Sequence, residues 1–168
     1  MKRIIVLGIT IFVFYILQVT VFNPMGLFHI SPNLIVILVV TFALLRGNTE
    51  GAILGFFCGF ILDIFYGDVV GLYSLLYAYI GYLCGYLHKI FYKDYVIIPL
   101  LSVCVVDFFV NFIIYVFTFL LRGRLEFNYY LMKIMIPEIL YTLVVTIILY
   151  KPLIWLNDKL ETNHEEEV

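Results

Sequence analysis

Asp63, Asp107, Asn111, Lys133 and Glu138 stand inside stretches that are otherwise apolar. An ionised side chain at mid-bilayer costs about 2.5 to 3.5 kcal/mol on insertion-based scales unless it is paired, protonated or wet. Each of these residues is therefore expected to face protein or a water-filled cavity. Asp107 and Asn111 are four residues apart and share one helix face. Glu138 follows Pro137 and lies about 7.5 Å along a helix from Lys133. Two chemical uses compete for this set: a fixed polar network between helices, or part of a solute or proton path. The network is preferred, because a path needs more polar lining than the chain supplies. Within it, Asn111 is expected to help satisfy the Asp107 side chain. Asp107 and Glu138 would share a proton if they approach closely, since two ionised carboxylates there repel and lose hydration. Asp63 has a second reading, at the outer boundary and facing water.

The element that carries Asp63 has its own pattern. Gly51, Gly55 and Gly59 recur every fourth residue and lead into the carboxylate, and Gly81 with Gly85 repeats the spacing further on. Positions i and i+4 share a helix face, so these glycines offer smooth strips where another backbone can approach closely. The strip serves either packing within this chain, which is preferred, or contact with a partner near Asp63. Gly67 and Gly71 flank Asp68 and read as a turn. Cys58, Cys84 and Cys104 lack zinc spacing and read as buried small hydrophobes. His29 and His88 read as boundary residues, and no phosphate loop, dinucleotide fingerprint, hydrolase elbow or metal cluster occurs. Catalytic, cofactor and metal sites are not expected.

The chain has 168 residues, of which 64% are hydrophobic and 13% charged. That composition predicts one integral membrane domain over residues 1–151, with residues 152–168 forming a short surface helix and an acidic tail. A basic patch with interleaved aromatics is missing, which argues against nucleic-acid binding. Residues 4–22 are too long an apolar run for a signal peptide and precede no cleavage site, so they should remain as the first span. The other spans are drawn at 32–45, 51–66, 72–87, 95–121 and 129–150, with Ser31 as N-cap of the second and Pro32 at its first position. The second would reach about 21 Å and the third about 24 Å, against a hydrocarbon core near 30 Å. Bilayer thinning, side chains reaching toward water, or a re-entrant hairpin could accommodate them. Arg46 and Glu50 read as a pair bordering a tight cytoplasmic loop. Six crossings with both termini cytoplasmic put seven basic residues inside and three outside, in the direction of the positive-inside rule.

Several motifs carry a resemblance. Pro32-Asn33-Leu34, Ala43-Leu44-Leu45-Arg46-Gly47, Glu50-Gly51-Ala52 with Gly55, Gly59 and Leu62-Asp63, Gly71-Leu72, and Gly81-Tyr82-Leu83-Cys84-Gly85 together resemble the MreD family of bacterial rod shape-determining proteins. The motifs cover residues 30–87, while the later half agrees in hydropathy and length. The resemblance implies an all-α, six-helix membrane bundle with two short helices, similar to the substrate-binding subunits of energy-coupling factor vitamin transporters. It implies a noncatalytic scaffold or regulatory subunit in the bacterial cytoplasmic membrane. The implied partner is the single-span MreC-like protein, alongside MreB, RodA and its transpeptidase. A small-solute-binding transporter subunit is the alternative. No established residue role comes with the family for Arg46, Gly47 or Asp63.

Overall fold

A computed structural model describes residues 2–22, 31–66, 71–89, 96–117 and 127–165. The expected turns around Gly26, His29 and Asp68, and the acidic residues beyond 165, lie outside the described residues. All the regular structure described is helical. Helix α1 spans Lys2–Leu17 and continues as a π-type turn, Gln18–Phe22. Helix α2 is Leu34–Arg46, α3 is Asn48–Tyr66 and α4 is Leu72–Tyr86, followed by a 3-10 turn at Leu87–Lys89. Helix α5 is Ile97–Tyr115, and α6 is Ile136–Glu165, preceded by a helical turn at Phe127–Tyr130 and a π-type turn at Leu131–Met135.

Helix α2 is the centre. Its sequence is apolar all round, so no face prefers water or lipid, and Leu34 to Leu45 are all buried. The five other helices all pack on it. The remaining helices are two-faced. Ile53, Phe56, Phe57, Phe60 and Ile64 of α3 point outward, as do Leu101, Val105 and Phe108 of α5 and Leu140, Val144 and Ile147 of α6. An outward surface of this kind is unstable in water and matched to hydrocarbon. Among the described residues, three helices are long and apolar enough to cross a membrane: Asn48–Phe65, Ile97–Tyr115 and Leu131–Lys159.

A short buried helix must find partners for its end groups without help from water. At the N-terminus of α2, Asn33 N–H reaches Thr142 Oγ1, Leu34 N–H the Pro32 carbonyl, Ile35 N–H the Gln18 Oε1 atom and Val36 N–H the Asn33 side chain. All four orphan donors are taken. At the other end Gly47 N–H donates to the Ala43 carbonyl, and His88 donates from Nδ1 to the Leu44 carbonyl at 2.7 Å. Gly47 holds φ at +88°, a left-handed conformation that favours glycine.

Three differences from the sequence reading have physical causes. The N-cap of α2 is Asn33, not Ser31, because the Asn33 side chain is the one that reaches the third amide of the helix. Helix α3 has 19 residues, starting at Asn48, since the polar Asn48-Thr49-Glu50 triplet supplies its first turn. Its length of about 28 Å nearly spans the hydrocarbon. Helix α6 runs through Pro152 to Glu165, with Leu153 and Asn157 buried against the bundle in place of a separate surface helix.

Candidate functional site

The glycine strips meet each other. A Cβ added at Gly51 would stand 2.7 Å from the Gly81 carbonyl oxygen and 2.7 Å from the Ala43 Cβ, inside the 3.0 Å that real Cβ atoms essentially never cross. At Gly55 the obstacle is the Tyr77 carbonyl, at Gly59 the Tyr73 carbonyl, and at Gly85 the backbone of Asn48. Each step of four residues along α3 is matched by a step of four backward along α4. The two helices therefore form an antiparallel hairpin in backbone contact, and the strip is internal.

Asp63 closes that hairpin. Helix α4 begins after Gly71, whose φ is +98° and which has no side chain to cap the helix. Asp63 supplies the cap from the neighbouring helix: Tyr73 N–H donates to Oδ1 at 3.0 Å, Ser74 N–H to Oδ2 at 2.8 Å, and the Ser74 hydroxyl also donates to Oδ2. These are the second and third amides of α4, the positions an N-cap side chain serves, and a carboxylate also suits the positive end of the helix dipole. Asp63 is consequently buried rather than facing water. Replacing it by Ala is expected to lower stability by about 2 to 3 kcal/mol, with Asn losing less. Thermal denaturation of the purified variants checks this. An unchanged midpoint for Asp63→Ala would refute the cap.

The second set converges on a residue the sequence reading did not single out for a polar role. Asn33 donates from Nδ2 to Asp107 Oδ1 at 3.1 Å, accepts the Tyr77 hydroxyl at 3.4 Å, and its main-chain N–H donates to Thr142 Oγ1 at 3.0 Å. The Thr142 hydroxyl donates in turn to the Glu138 carbonyl at 2.8 Å, and Thr146 to the Thr142 carbonyl at 2.6 Å. Asn33 thus ties the start of α2 to α4, α5 and α6. Asp107 is wholly buried, and its Oδ2 has no hydrogen-bond partner. Asn111 donates to the Asp107 main-chain carbonyl at 3.1 Å, not to its carboxylate. That correction follows from spacing: an amide four residues on lies over the carbonyl of the same helix. Glu138 is half-buried and shares this environment with Asp107 and Asn111. Lys133 stays apart, its ammonium 5.1 Å from the centre of the Tyr129 ring.

Glu138 is placed by an irregular turn. Ile136 N–H bonds the Leu131 carbonyl five residues back, just ahead of Pro137, which has no N–H to continue the ordinary ladder. Beyond it, Gln18, Ser31, Asn33, Tyr73, Tyr77 and Glu138 line a cavity of about 230 Å³. At the far end of α2, Arg46 donates from Nε to Asn157 Oδ1 at 2.6 Å, pairs with Glu50 at 3.2 Å, and lies 5.4 Å over the Phe42 ring. The expected Arg46 and Glu50 pair is present, with α6 as a third party. Among the described residues no group of three His, Cys, Asp or Glu has metal-binding geometry.

An apolar exterior, helices of membrane length and an interior where Asp63 and Asn33 cap helix ends define an all-helical membrane protein. Residues 1–160 match the family model described as rod shape-determining protein MreD, so the chain belongs to the MreD family. No curated protein and no solved structure matches the chain. The match extends well beyond the motif-bearing residues 30–87, to the later helices that carry Asp107 and Glu138. Family membership places the protein in the membrane and in the determination of rod shape.

Proposed function

We propose that this protein is a noncatalytic subunit of the cell-wall elongation complex, whose rigid bundle presents a fixed outer surface to an MreC-like single-span protein. MreB, RodA and its transpeptidase join the same assembly, and both termini of this chain lie in the cytoplasm. The observation that carries the reading is the family match over residues 1–160. The interior supports it: Asp63 and Asn33 cap helices, and Arg46 ties three helices together. The glycines bring α3 and α4 into backbone contact. Such devices hold a shape, and none supplies a nucleophile beside a base.

A second reading has a specific observation in its favour, the cavity beside Glu138. It would make the chain a small-solute-binding subunit of an energy-coupling factor type transporter. The two readings separate in one experiment. Protein extracted from its native membrane with its surrounding lipid is expected to co-purify with the MreC-like protein and to retain no vitamin. Stoichiometric vitamin together with a transport ATPase module would reverse the order.

A further inference from the structure

The geometry points to the cavity beside Glu138 as a binding site for an organic ammonium group, carried either by a free amine or by the headgroup of an amine-bearing phospholipid. This goes beyond the assembly role and does not depend on it. Among the described lining residues the charge is one-sided: Glu138 forms part of the wall, with no Lys, Arg or His beside it in that set. Behind the wall, Asn33 is held by Asp107, whose Oδ2 is buried without a partner. Two tyrosine side chains, Tyr73 and Tyr77, flank the same space. A carboxylate combined with aromatic rings is the arrangement that attracts an ammonium group.

Other ligand classes fit less well. The N-terminus of α2 also borders the cavity and by its dipole favours anions. Its four free amides are nevertheless all occupied, by Thr142, Pro32, Gln18 and the Asn33 side chain, so no donor is left to hold one. A bare metal ion needs several oxygen ligands in close array, and no such cluster exists among the described residues. A volume of about 230 Å³ falls below the roughly 300 Å³ at which pockets for drug-sized ligands begin. It suits a small headgroup. Leu62 and Ile114 on the remaining wall offer apolar contact to the methylene groups that accompany the charge.

The full chain in phosphatidylglycerol nanodiscs is titrated with ethanolamine, with tetramethylammonium chloride, and with sodium chloride at equal ionic strength. In a parallel series phosphatidylethanolamine replaces part of the lipid. The readout is the unfolding midpoint, which rises with any ligand that binds only the folded state. A saturable rise with the amines or with phosphatidylethanolamine, and none with sodium chloride, is expected. A response to the lipid alone assigns the headgroup, and a response to ethanolamine assigns the free amine. Glu138→Gln is expected to weaken binding about tenfold, since it keeps the shape and removes the charge. Ile114→Phe, which narrows the cavity and leaves the charges untouched, provides a second variant if Glu138→Gln does not fold. No saturable response in the parent, an equal response to sodium chloride, or a folded variant that titrates like the parent would overturn the assignment.

Discussion

Leucine at Gly55 is expected to prevent the α3 and α4 hairpin from closing, and with it the folding of the purified protein. The added side chain would begin against the Tyr77 carbonyl, a backbone atom that cannot rotate aside. Even a single methyl group meets that atom, so alanine is also damaging, by about 1 to 3 kcal/mol as for other overpacked cores. Leucine, with three further carbons, goes beyond this range. Gly8 provides the control, because a Cβ there meets nothing within 4 Å. Gly8→Ala should be neutral or stabilising by up to about 1 kcal/mol, the helix-propensity difference. Unfolding midpoints and monodispersity of the three variants decide the matter. A Gly55→Leu protein with the parent's midpoint would show that the hairpin is looser than described.

Replacing Asn33 by Leu is the second large effect. Three side-chain contacts go together: the cap on Val36, the acceptor for Tyr77 and the donor to Asp107. Because Asp107 Oδ2 already lacks a partner, the substitution takes the Asn33 donor away from a wholly buried carboxyl group. Taking the donor away from a buried carboxyl group costs about 1 to 3 kcal/mol, more when the group is ionised, and the lost cap adds about 1. Adding Asp107→Leu to Asn33→Leu should recover part of that loss, since removing both partners eliminates the stranded group. Denaturation of both single variants and the double variant measures the coupling. Strictly additive losses would mean that the two residues do not act as a unit.

How much of this was legible in the sequence depends on distance along the chain. The i+4 spacing of Gly51, Gly55 and Gly59 reads directly as a helix face, and so does the shared face of Asp107 and Asn111. What those faces meet is set by the register between helices, which local pattern does not encode. Asp63 could be read at a boundary because nothing near it shows that α4 starts on a glycine and must borrow its cap from ten residues upstream. Asn33 carried a usable signal: an Asn directly before a long apolar run is the mark of an N-cap. The neighbouring Ser31-Pro32 pair offered the same mark two residues earlier. The long-range bonds of Asn33 to Asp107 and Thr142 span 74 and 109 residues of sequence and had no local trace.

The enclosure of α2 has a consequence for variation. In α5, substitutions should be tolerated with the period of a helix turn, because any apolar residue serves at Leu101, Val105 or Phe108 while Val103, Asp107 and Asn111 are constrained. Along α2 that rhythm should vanish. From Leu34 to Leu45 every side chain has a neighbour on all sides, so the segment has no direction in which to drift, and compensating changes must arise on other helices. A saturation scan scored for folded protein would trace the bundle axis as the one helix with a flat profile.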